Sequence, residues 1–254
     1  NRAKNSSAAD MLKFAQAFEA ALAQKQLLVY LHDQNSQRLL LEQNWAGNIY
    51  SPSLATLDNR PITSDYAFLV EANLGINKAN YFLKRDIKHQ LTILKNKEVL
   101  VSTNISYQNQ SPADTWPGGV YRSYLRDYLP LNSQLIGIKV GDSKLNLKTL
   151  DQEVVADKLV IGFPLAVPVK NSLEVEITYR LPQPLELTNK QGRLAVVIPK
   201  QPGILSDNLE VILNYPTFLT VAAVNPQALI SPQVVTFQSN LETDRVFLVD
   251  LIER

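Results

Sequence analysis

The chain has 254 residues, of which 45% are hydrophobic and 19% charged, and its formal net charge at pH 7 is +1. This is an ordinary globular balance, which excludes disorder of the whole chain and leaves room for one large domain or two to three smaller ones. The charges are well mixed and form no basic stripe, so we expect no nucleic-acid partner. The absence of cysteine excludes disulfides, thiolate nucleophiles and cysteine-ligated zinc.

No segment reaches the ~18 consecutive apolar residues of a membrane-spanning helix. The nearest candidate, Leu159–Val169, is interrupted by Pro164 and Pro168. The chain also starts at Asn1 without an initiator methionine, which favours a piece of a longer protein. We therefore expect any membrane contact to depend on a segment absent from this chain.

The first predicted element is a helix over Ser7–Gln26. Ser7 and Asp10 have the spacing of a capping box, which would satisfy free N–H groups at the helix start. Apolar residues then recur at spacings of three and four: Met11, Phe14, Phe18, Ala21 and Leu22. Packing of this stripe on its own domain is the favoured interpretation, and binding of a partner is the alternative.

A short apolar run, Leu27–Leu31, follows and predicts a buried strand. Asp33 or Asn35 can then cap a second short helix that ends before Gly47. Trp45 lies at the end of this helix, where we favour a core-filling role over stacking on a sugar.

The stretch Ile49–Ser64 contains two prolines and many short polar residues, which predicts a loop. Loops of this length are uncommon inside compact domains unless they are functional or mobile, so a lid or contact loop is expected here. A strand is predicted next, over Tyr66–Ala72.

From Tyr81 onward the hydrophobic period changes to two, which is typical of half-buried strands. Ile87–Ile93 and Val99–Tyr107 flank Lys95–Lys97 and predict a β-hairpin. Further strands are predicted at Tyr121–Leu129, Leu135–Val140, Lys144–Leu150, Leu159–Phe163, Leu173–Leu181, Leu194–Ile198, Leu209–Tyr215, Leu219–Val224, Val234–Phe237 and Val246–Ile252.

These elements predict an α+β chain with a small N-terminal α/β portion followed by antiparallel, immunoglobulin-like β-sandwich structure, as one large or two small sandwiches. We predict that residues 1–77 form the α/β portion, completed by upstream sequence, and that residues 78–181 form a sandwich. Residues 182–254 either build a second small sandwich or complete the first, with Pro182–Pro184 as the boundary.

Catalytic motifs are absent: there is no G-x-S-x-G elbow, P-loop or dinucleotide fingerprint. His32 and His89 lack the spacing of a metalloenzyme motif, and we interpret them as a loop anchor and a half-buried packing residue. The sequence thus predicts no catalytic residue, no metal ligand and no cofactor.

Two clusters are candidates for binding. The first combines amides and cations around the end of the predicted strand Tyr66–Ala72, where they could meet an anionic or sugar ligand. Its members are Asn73, Asn77, Lys78, Lys84 and Arg85, with Asn80 beside them. Turn formation by the asparagines and solvation of the cations is the competing interpretation.

The second cluster is an aromatic and basic ladder on one face of the strand after Trp116. Such a ladder can stack on sugars or bind an anionic polymer, and cross-strand packing is the competing interpretation. Trp116 on the preceding loop would extend the patch. The ladder consists of Arg122, Tyr124, Arg126 and Tyr128.

Four stretches resemble an uncharacterised bacterial family, domain of unknown function 4012. The segment ANLGINKANYFLKR, Ala72–Arg85, resembles the family's NxGGNKADYYxxR-like segment, with Leu74 where the family often has a first glycine. The other stretches, in order, are Leu27–Gly47, Tyr121–Pro130 and Lys200–Gly203. The match covers most of this chain but only the C-terminal half of the family.

The resemblance implies an extracytoplasmic protein that is membrane-anchored in its full length and concerned with the cell envelope, with no implied catalytic residue. The leading hypothesis is a binding or presenting module for surface polysaccharide or envelope proteins. The patterns leave enzymatic activity open but favour none for this fragment. One rival is the accessory half of a glycopolymer transferase or hydrolase, which predicts an exposed apolar face or open sheet edge on residues 1–77. A structural spacer, which predicts no concave polar pocket, is the third hypothesis.

Overall fold

The computed structural model describes residues 8–52, 54 and 60–254. Two α-helices come first and three β-sheets follow, so the predicted α+β class with sandwich-like β structure is confirmed. Ser7 and its proposed capping role lie outside the described residues, as do residues 53 and 55–59 of the predicted loop. Within the described part, no helix is long and apolar enough to cross a membrane.

Both predicted helices are present, as α1 over Ala8–Ala23 and α2 over Gln34–Glu42. Asp33 is the N-cap of α2, and its carboxylate accepts a hydrogen bond from the Ser36 amide at 2.8 Å. This bond satisfies one of the free amides at the helix start, as the sequence predicts.

Two predictions for this N-terminal region are wrong. The run Leu27–Leu31 is not a strand: it pairs with none of the described strands and is mostly exposed, so an apolar run alone did not specify a sheet partner. The apolar stripe of α1 does not pack on its own domain either. Only Leu22 is buried in α1, whereas the Phe14 side chain is 73% exposed.

Within the described residues, sixteen strands form three sheets. The eight-stranded sheet has the order β14-β15-β12-β3-β4-β10-β6-β7. We name the other two the 1/11 sheet, with order β1-β11-β16-β13, and the 2/5 sheet, with order β2-β5-β9-β8.

The strands have the following bounds: β1 Ile62–Tyr66, β2 Phe68–Asn73, β3 Leu83–Ile93, β4 Val99–Asn109, β5 Tyr121–Pro130, β6 Gln134–Val140, β7 Ser143–Lys144, β8 Asp151–Val155, β9 Lys158–Val167, β10 Ser172–Arg180, β11 Gln191–Ile198, β12 Asn208–Asn214, β13 Leu219–Asn225, β14 Leu229–Ser231, β15 Val234–Asn240 and β16 Arg245–Glu253. Short 3-10 helices lie at Ala79–Phe82 and Leu147–Thr149.

Strands from the three predicted segments interleave. Strand β1 pairs in parallel with β11, and β12 pairs in parallel with β3. The last seventy-odd residues therefore extend the sheet that the β3–β4 hairpin begins. One hydrophobic cluster holds buried side chains from all three sheets, including Ile87, Leu125 and Leu194.

Strands β1 and β2 are almost continuous but belong to different sheets. The chain passes from the 1/11 sheet to the 2/5 sheet at Ala67, whose amide still bonds the Val197 carbonyl at 3.0 Å. In this way residues 62–73 carry Asp65 and Glu71 into the interior, where each meets polar side chains of the eight-stranded sheet.

Candidate functional site

Arg85, on β3, is the centre of a buried charged group. One terminal nitrogen bonds the Glu71 carboxylate of β2, and the other donates to Asp207 just before β12, at 2.5 Å. The side chains of all three residues are almost inaccessible to solvent. Burial alone would lower the pKa of Arg85, but the two carboxylates raise it well above its ordinary value, so Arg85 remains a cation.

Both the carboxylate and the backbone of Glu71 are hydrogen-bonded. Tyr107 donates to one carboxylate oxygen at 2.7 Å and Tyr121 to the other at 2.5 Å. The Gln201 side chain bonds the backbone of Glu71 twice, accepting from its amide at 2.9 Å and donating to its carbonyl at 2.8 Å. Burial and the adjacent Glu71 raise the pKa of both tyrosines above the ordinary value, so their hydroxyls remain donors.

Hydrogen bonds of Lys200 and Asp244 hold the turn Lys200–Gly203 in place. The Lys200 ammonium donates to the Gln201 carbonyl at 3.2 Å and also to the Ile204 carbonyl. Burial lowers the pKa of Lys200. Asp244 accepts from the Lys200 amide at 2.7 Å and from the Lys25 ammonium at 2.8 Å, which ties the end of α1 to this turn.

A pocket of about 430 Å³ opens above the charged group. Its walls are the end of β2, the 3-10 helix Ala79–Phe82 and the segment that leads from the turn to β12. Tyr81 and Leu205 contribute exposed side chains to it. The full lining is Glu71, Asn73, Asn80, Tyr81, Leu83, Arg85, Tyr121, Gln201, Pro202, Gly203, Ile204, Leu205, Ser206 and Asp207.

The charge of the pocket selects among ligand classes. Two carboxylates and one guanidinium line it, so their formal charges sum to −1. Arg85 directs both terminal nitrogens at those carboxylates and is not positioned as an anion clamp. Exposed Asn80 and Ser206 provide hydrogen-bonding groups, and Tyr81 provides an aromatic face. Together these features suit a neutral polyhydroxylated ligand better than an anion.

The structure brings part of the first predicted cluster into this pocket. Asn73 and Arg85 line it, but Arg85 is buried rather than solvated. Lys84 points the other way and lies 3.5 Å from Asp86. Asn77 stabilises the loop that follows β2, because its side-chain amide donates to the Val120 carbonyl at 3.1 Å. Lys78 is exposed and lies outside the pocket.

The ladder on β5 lies on the outer face of the 2/5 sheet. Tyr124 donates a hydrogen bond to Asp151, and Arg126 forms an ion pair with Glu153. Both acidic residues lie on β8, a strand that the sequence did not predict, and Glu153 neutralises the charge of Arg126. Tyr124 lies over Gly162, where an added Cβ would come within 2.7 Å of its ring.

The other members of the second candidate patch are separated. Tyr128 is buried against Phe68, with ring centroids 5.5 Å apart. Arg122 and Trp116 are exposed and line neither the pocket nor the groove beside Tyr124. The contacts of Tyr124, Arg126 and Tyr128 are thus with side chains of neighbouring strands, as the alternative of cross-strand packing describes.

A second buried polar group lies deep between the sheets. His89 bridges Asp65 and Thr103, through Nε2 at 2.6 Å and Nδ1 at 2.9 Å, and Tyr179 donates to Asp65 at 2.8 Å. The predicted half-buried packing role of His89 is therefore wrong, since its side chain is fully buried and hydrogen-bonded. His32, by contrast, is exposed and contacts the Tyr30 ring edge-on at 5.4 Å.

Sequence reasoning missed Glu71, Tyr107, Tyr121, Gln201 and Asp207. Strand alternation held the one available signal: Arg85 shares a face with Ile87 and His89, which predicts an inward side chain. Across residues 8–52, 54 and 60–254, no group of three or more histidine or acidic side chains is arranged to hold a metal ion.

No family model and no curated protein matches the chain. Among solved structures, a proposed nutrient-binding protein from Legionella pneumophila is similar over 74% of this chain and 71% of its own, with 6% identity and a TM-score of 0.46. Yeast leukotriene A4 hydrolase is similar over 70% of this chain, with 9% identity and a TM-score of 0.40. A Deinococcus radiodurans M1 zinc metallopeptidase is similar over 67%, with 8% identity and a TM-score of 0.33. This chain spans 30% and 42% of the lengths of the latter two, and none of these similarities carries an inference about activity.

Proposed function

We propose that this chain is a non-catalytic binding module that recognises a neutral surface glycopolymer in the pocket beside Tyr81. The observation that carries the proposal is the pocket itself, which is concave and polar, has an aromatic side chain at its edge and carries a formal charge of −1. A sugar presents apolar C–H faces and hydroxyl groups together, which matches an aromatic face beside amide and hydroxyl side chains.

The contacts of Glu71 favour binding over catalysis. Arg85, Tyr107 and Tyr121 all donate to its carboxylate, so both carboxylate oxygens are engaged by side chains of the protein itself. The Glu71 side chain is also almost inaccessible to solvent. Its role is therefore to fix the wall of the pocket rather than to act on a substrate.

The location outside the cytoplasm and the membrane anchor belong to the same proposal. They are supported by the resemblance of Ala72–Arg85 and Lys200–Gly203 to the uncharacterised bacterial family. Asn73 and Asn80 of the first stretch and Gln201 of the second line the pocket, so both stretches contribute to the proposed site.

Replacing Tyr81 with alanine is expected to weaken binding of a neutral envelope glycan by about 2- to 12-fold, because an aromatic contact contributes about 0.5–1.5 kcal/mol. A glycan array should identify the ligand, and calorimetric titration should then measure its affinity for both proteins. Tyr30→Ala is the matched control, since Tyr30 is similarly exposed and lies outside the pocket. Equal affinity of Tyr81→Ala and wild type, or binding of acidic glycans only, would contradict the proposal.

A second function, the accessory half of an envelope enzyme, is favoured by one observation. The helix α1 exposes Met11, Leu12, Phe14 and Phe18, which is the open apolar face that this hypothesis predicts for the N-terminal portion. A lone helix of this length is marginal in water, so a covering polypeptide would stabilise it. The spacer hypothesis predicts no concave polar pocket, and we do not propose it.

For this second function, the double substitution Phe14→Ser and Phe18→Ser is the test. In the full-length protein it should abolish turnover of envelope glycopolymer while leaving thermal unfolding of the sheets unchanged, because both rings are exposed and stack on each other, with centroids 6.3 Å apart. Leu229→Ser, at an equally exposed site on β14, is the control. Turnover that survives the double substitution would exclude docking through α1.

A further inference from the structure

Two adjacent loops at one end of the molecule expose large apolar side chains. We name them the tip loops: residues 74–78, after β2, and residues 112–119, before β5. Leu74 is 63% exposed, Trp116 is 73% exposed, and Ile76 is 104% exposed, which is the exposure of a side chain in a free extended peptide. Ile76 therefore projects from the surface instead of lining a groove.

Hydrogen bonds hold the tip loops to each other and to the 2/5 sheet. The Lys78 amide donates to the Pro117 carbonyl at 2.8 Å, and the Leu74 amide donates to the Arg122 carbonyl at 2.8 Å. The side chain of Asn77 links the first loop to Val120 at 3.1 Å. The apolar tips are thus presented on fixed backbone, so binding through them would cost little ordering entropy.

Two cations lie in or beside the tip loops: Lys78 ends the first loop, and Arg122 follows the second loop on β5. Lys78 and Arg122 are exposed, and no ion pair to either of them occurs within the described part of the chain. The one acidic residue of these loops, Asp114, accepts a hydrogen bond from the Val120 amide at 3.1 Å. Two cations and one carboxylate give a formal charge of +1 beside the apolar tips.

We propose that the tip loops insert into the headgroup region of an anionic phospholipid bilayer. Tryptophan and isoleucine would enter the boundary between headgroups and acyl chains, where tryptophan is enriched in membrane proteins, and the cations would meet lipid phosphates. A convex apolar tip flanked by cations is complementary to a soft anionic surface. Ile76 projects fully into solvent, as a side chain that inserts into a bilayer would, which is why a lipid surface is favoured over a protein partner.

The proposal does not depend on the glycan site. It also differs from anchoring through a separate membrane-spanning segment, because the contact uses the residues of this chain itself. Such a contact would orient the domain on a membrane surface by its tip loops.

Vesicle co-sedimentation tests this proposal. The chain should bind vesicles of phosphatidylcholine with 30% phosphatidylglycerol, chosen as the probe, more tightly than phosphatidylcholine alone. The double substitution Ile76→Ser and Trp116→Ser should weaken this binding by roughly 100-fold, from about 1.5 kcal/mol for each buried side chain and tenfold per 1.4 kcal/mol. Leu229→Ser with Ile230→Ser is the matched control on β14, where both side chains are exposed, and should bind as wild type.

A spectroscopic measurement provides an independent test that leaves the tip loops unchanged. In a Trp45→Phe background, Trp116 is the only tryptophan, and its emission should shift to shorter wavelength and be quenched by brominated lipid. The substitutions Lys78→Glu and Arg122→Glu should abolish the preference for anionic vesicles. Absence of vesicle binding would overturn the proposal, and so would an unchanged Trp116 emission wavelength when the protein is bound to vesicles. Binding that is lost with Phe14→Ser and Phe18→Ser on α1, but kept with the tip-loop substitutions, would also overturn it.

Discussion

Replacing Arg85 with methionine is expected to lower the free energy of unfolding by about 3–5 kcal/mol, because it leaves two carboxylates buried without their cation. Arg85 is the ion-pair partner of both Glu71 and Asp207, and its side chain is 4% exposed. Without the guanidinium, the loss of hydration of the two buried carboxylates is no longer offset by an opposite charge.

Urea unfolding of Arg85→Met and wild type at pH 8 measures this loss. Lys84→Met is the control, because the neighbouring Lys84 is exposed and its nearest carboxylate is 3.5 Å away. It should change stability by less than about 0.5 kcal/mol. A triple variant that adds Glu71→Gln and Asp207→Asn should recover part of the loss. Equal stability of Arg85→Met and wild type would contradict the burial and pairing of this group.

In the wild-type protein, the free energy of unfolding is expected to fall as pH rises because of Asp127. Replacing Asp127 with asparagine should remove this fall. Asp127 lies on the inner face of β5 with no exposure, and within the described residues neither carboxylate oxygen has a hydrogen-bond partner. Burial, and then the charge of Asp65, raise the pKa of Asp127 well above its ordinary value. The folded protein therefore keeps a proton on Asp127 at a pH where the unfolded chain has released it.

The sign of the effect follows from proton linkage. Above the unfolded pKa of about 3.9, the folded state binds one proton more than the unfolded state, so the free energy of unfolding falls by about 1.4 kcal/mol per pH unit until the folded pKa is reached. Asparagine has the same shape and no proton to lose. The difference in unfolding free energy between Asp127→Asn and wild type should thus grow in favour of the variant from pH 5 to pH 8.

Urea unfolding at several pH values tests this, with Asp142→Asn in the exposed β6–β7 turn as control. The control should track wild type at every pH. Parallel curves for Asp127→Asn and wild type would show that Asp127 titrates normally.

Most strands after Tyr81 could be predicted because they carry a local signal. The predicted strand Lys144–Leu150 is wrong, since only Lys144 lies in a strand, β7, and Leu147–Thr149 form a 3-10 helix. Leu83–Ile93 and Val99–Asn109 alternate apolar and polar residues around a short turn, and Lys97 adopts the left-handed conformation, φ +68°, that ends it. The strand β8 lacks such a signal, because its residues are exposed and mostly polar. The error at Leu27–Leu31 is the reverse. Its hydrophobic residues predicted a strand, but none of the described strands pairs with this segment.

The polar interior depends on long-range pairing that no local pattern encodes. Arg85 and Asp207 are separated by 122 positions, and they meet because β3 and β12 pair in parallel. Arg126 meets Glu153 through the unpredicted strand β8. Residue type alone placed Arg85 in a binding cluster. The alternation along β3 predicts that its side chain points inward, but the carboxylates that it meets there depend on the pairing of distant strands.

The proposed glycan site is tested most directly by hydrogen–deuterium exchange with and without a neutral envelope oligosaccharide that the chain binds. The pocket predicts slower exchange at Asn80 and Tyr81 and along Gln201–Asp207, with Asp151–Val155 on the outer face unchanged. Protection at Asp151–Val155 with none around Tyr81 would move recognition to the groove beside Tyr124 and contradict the account.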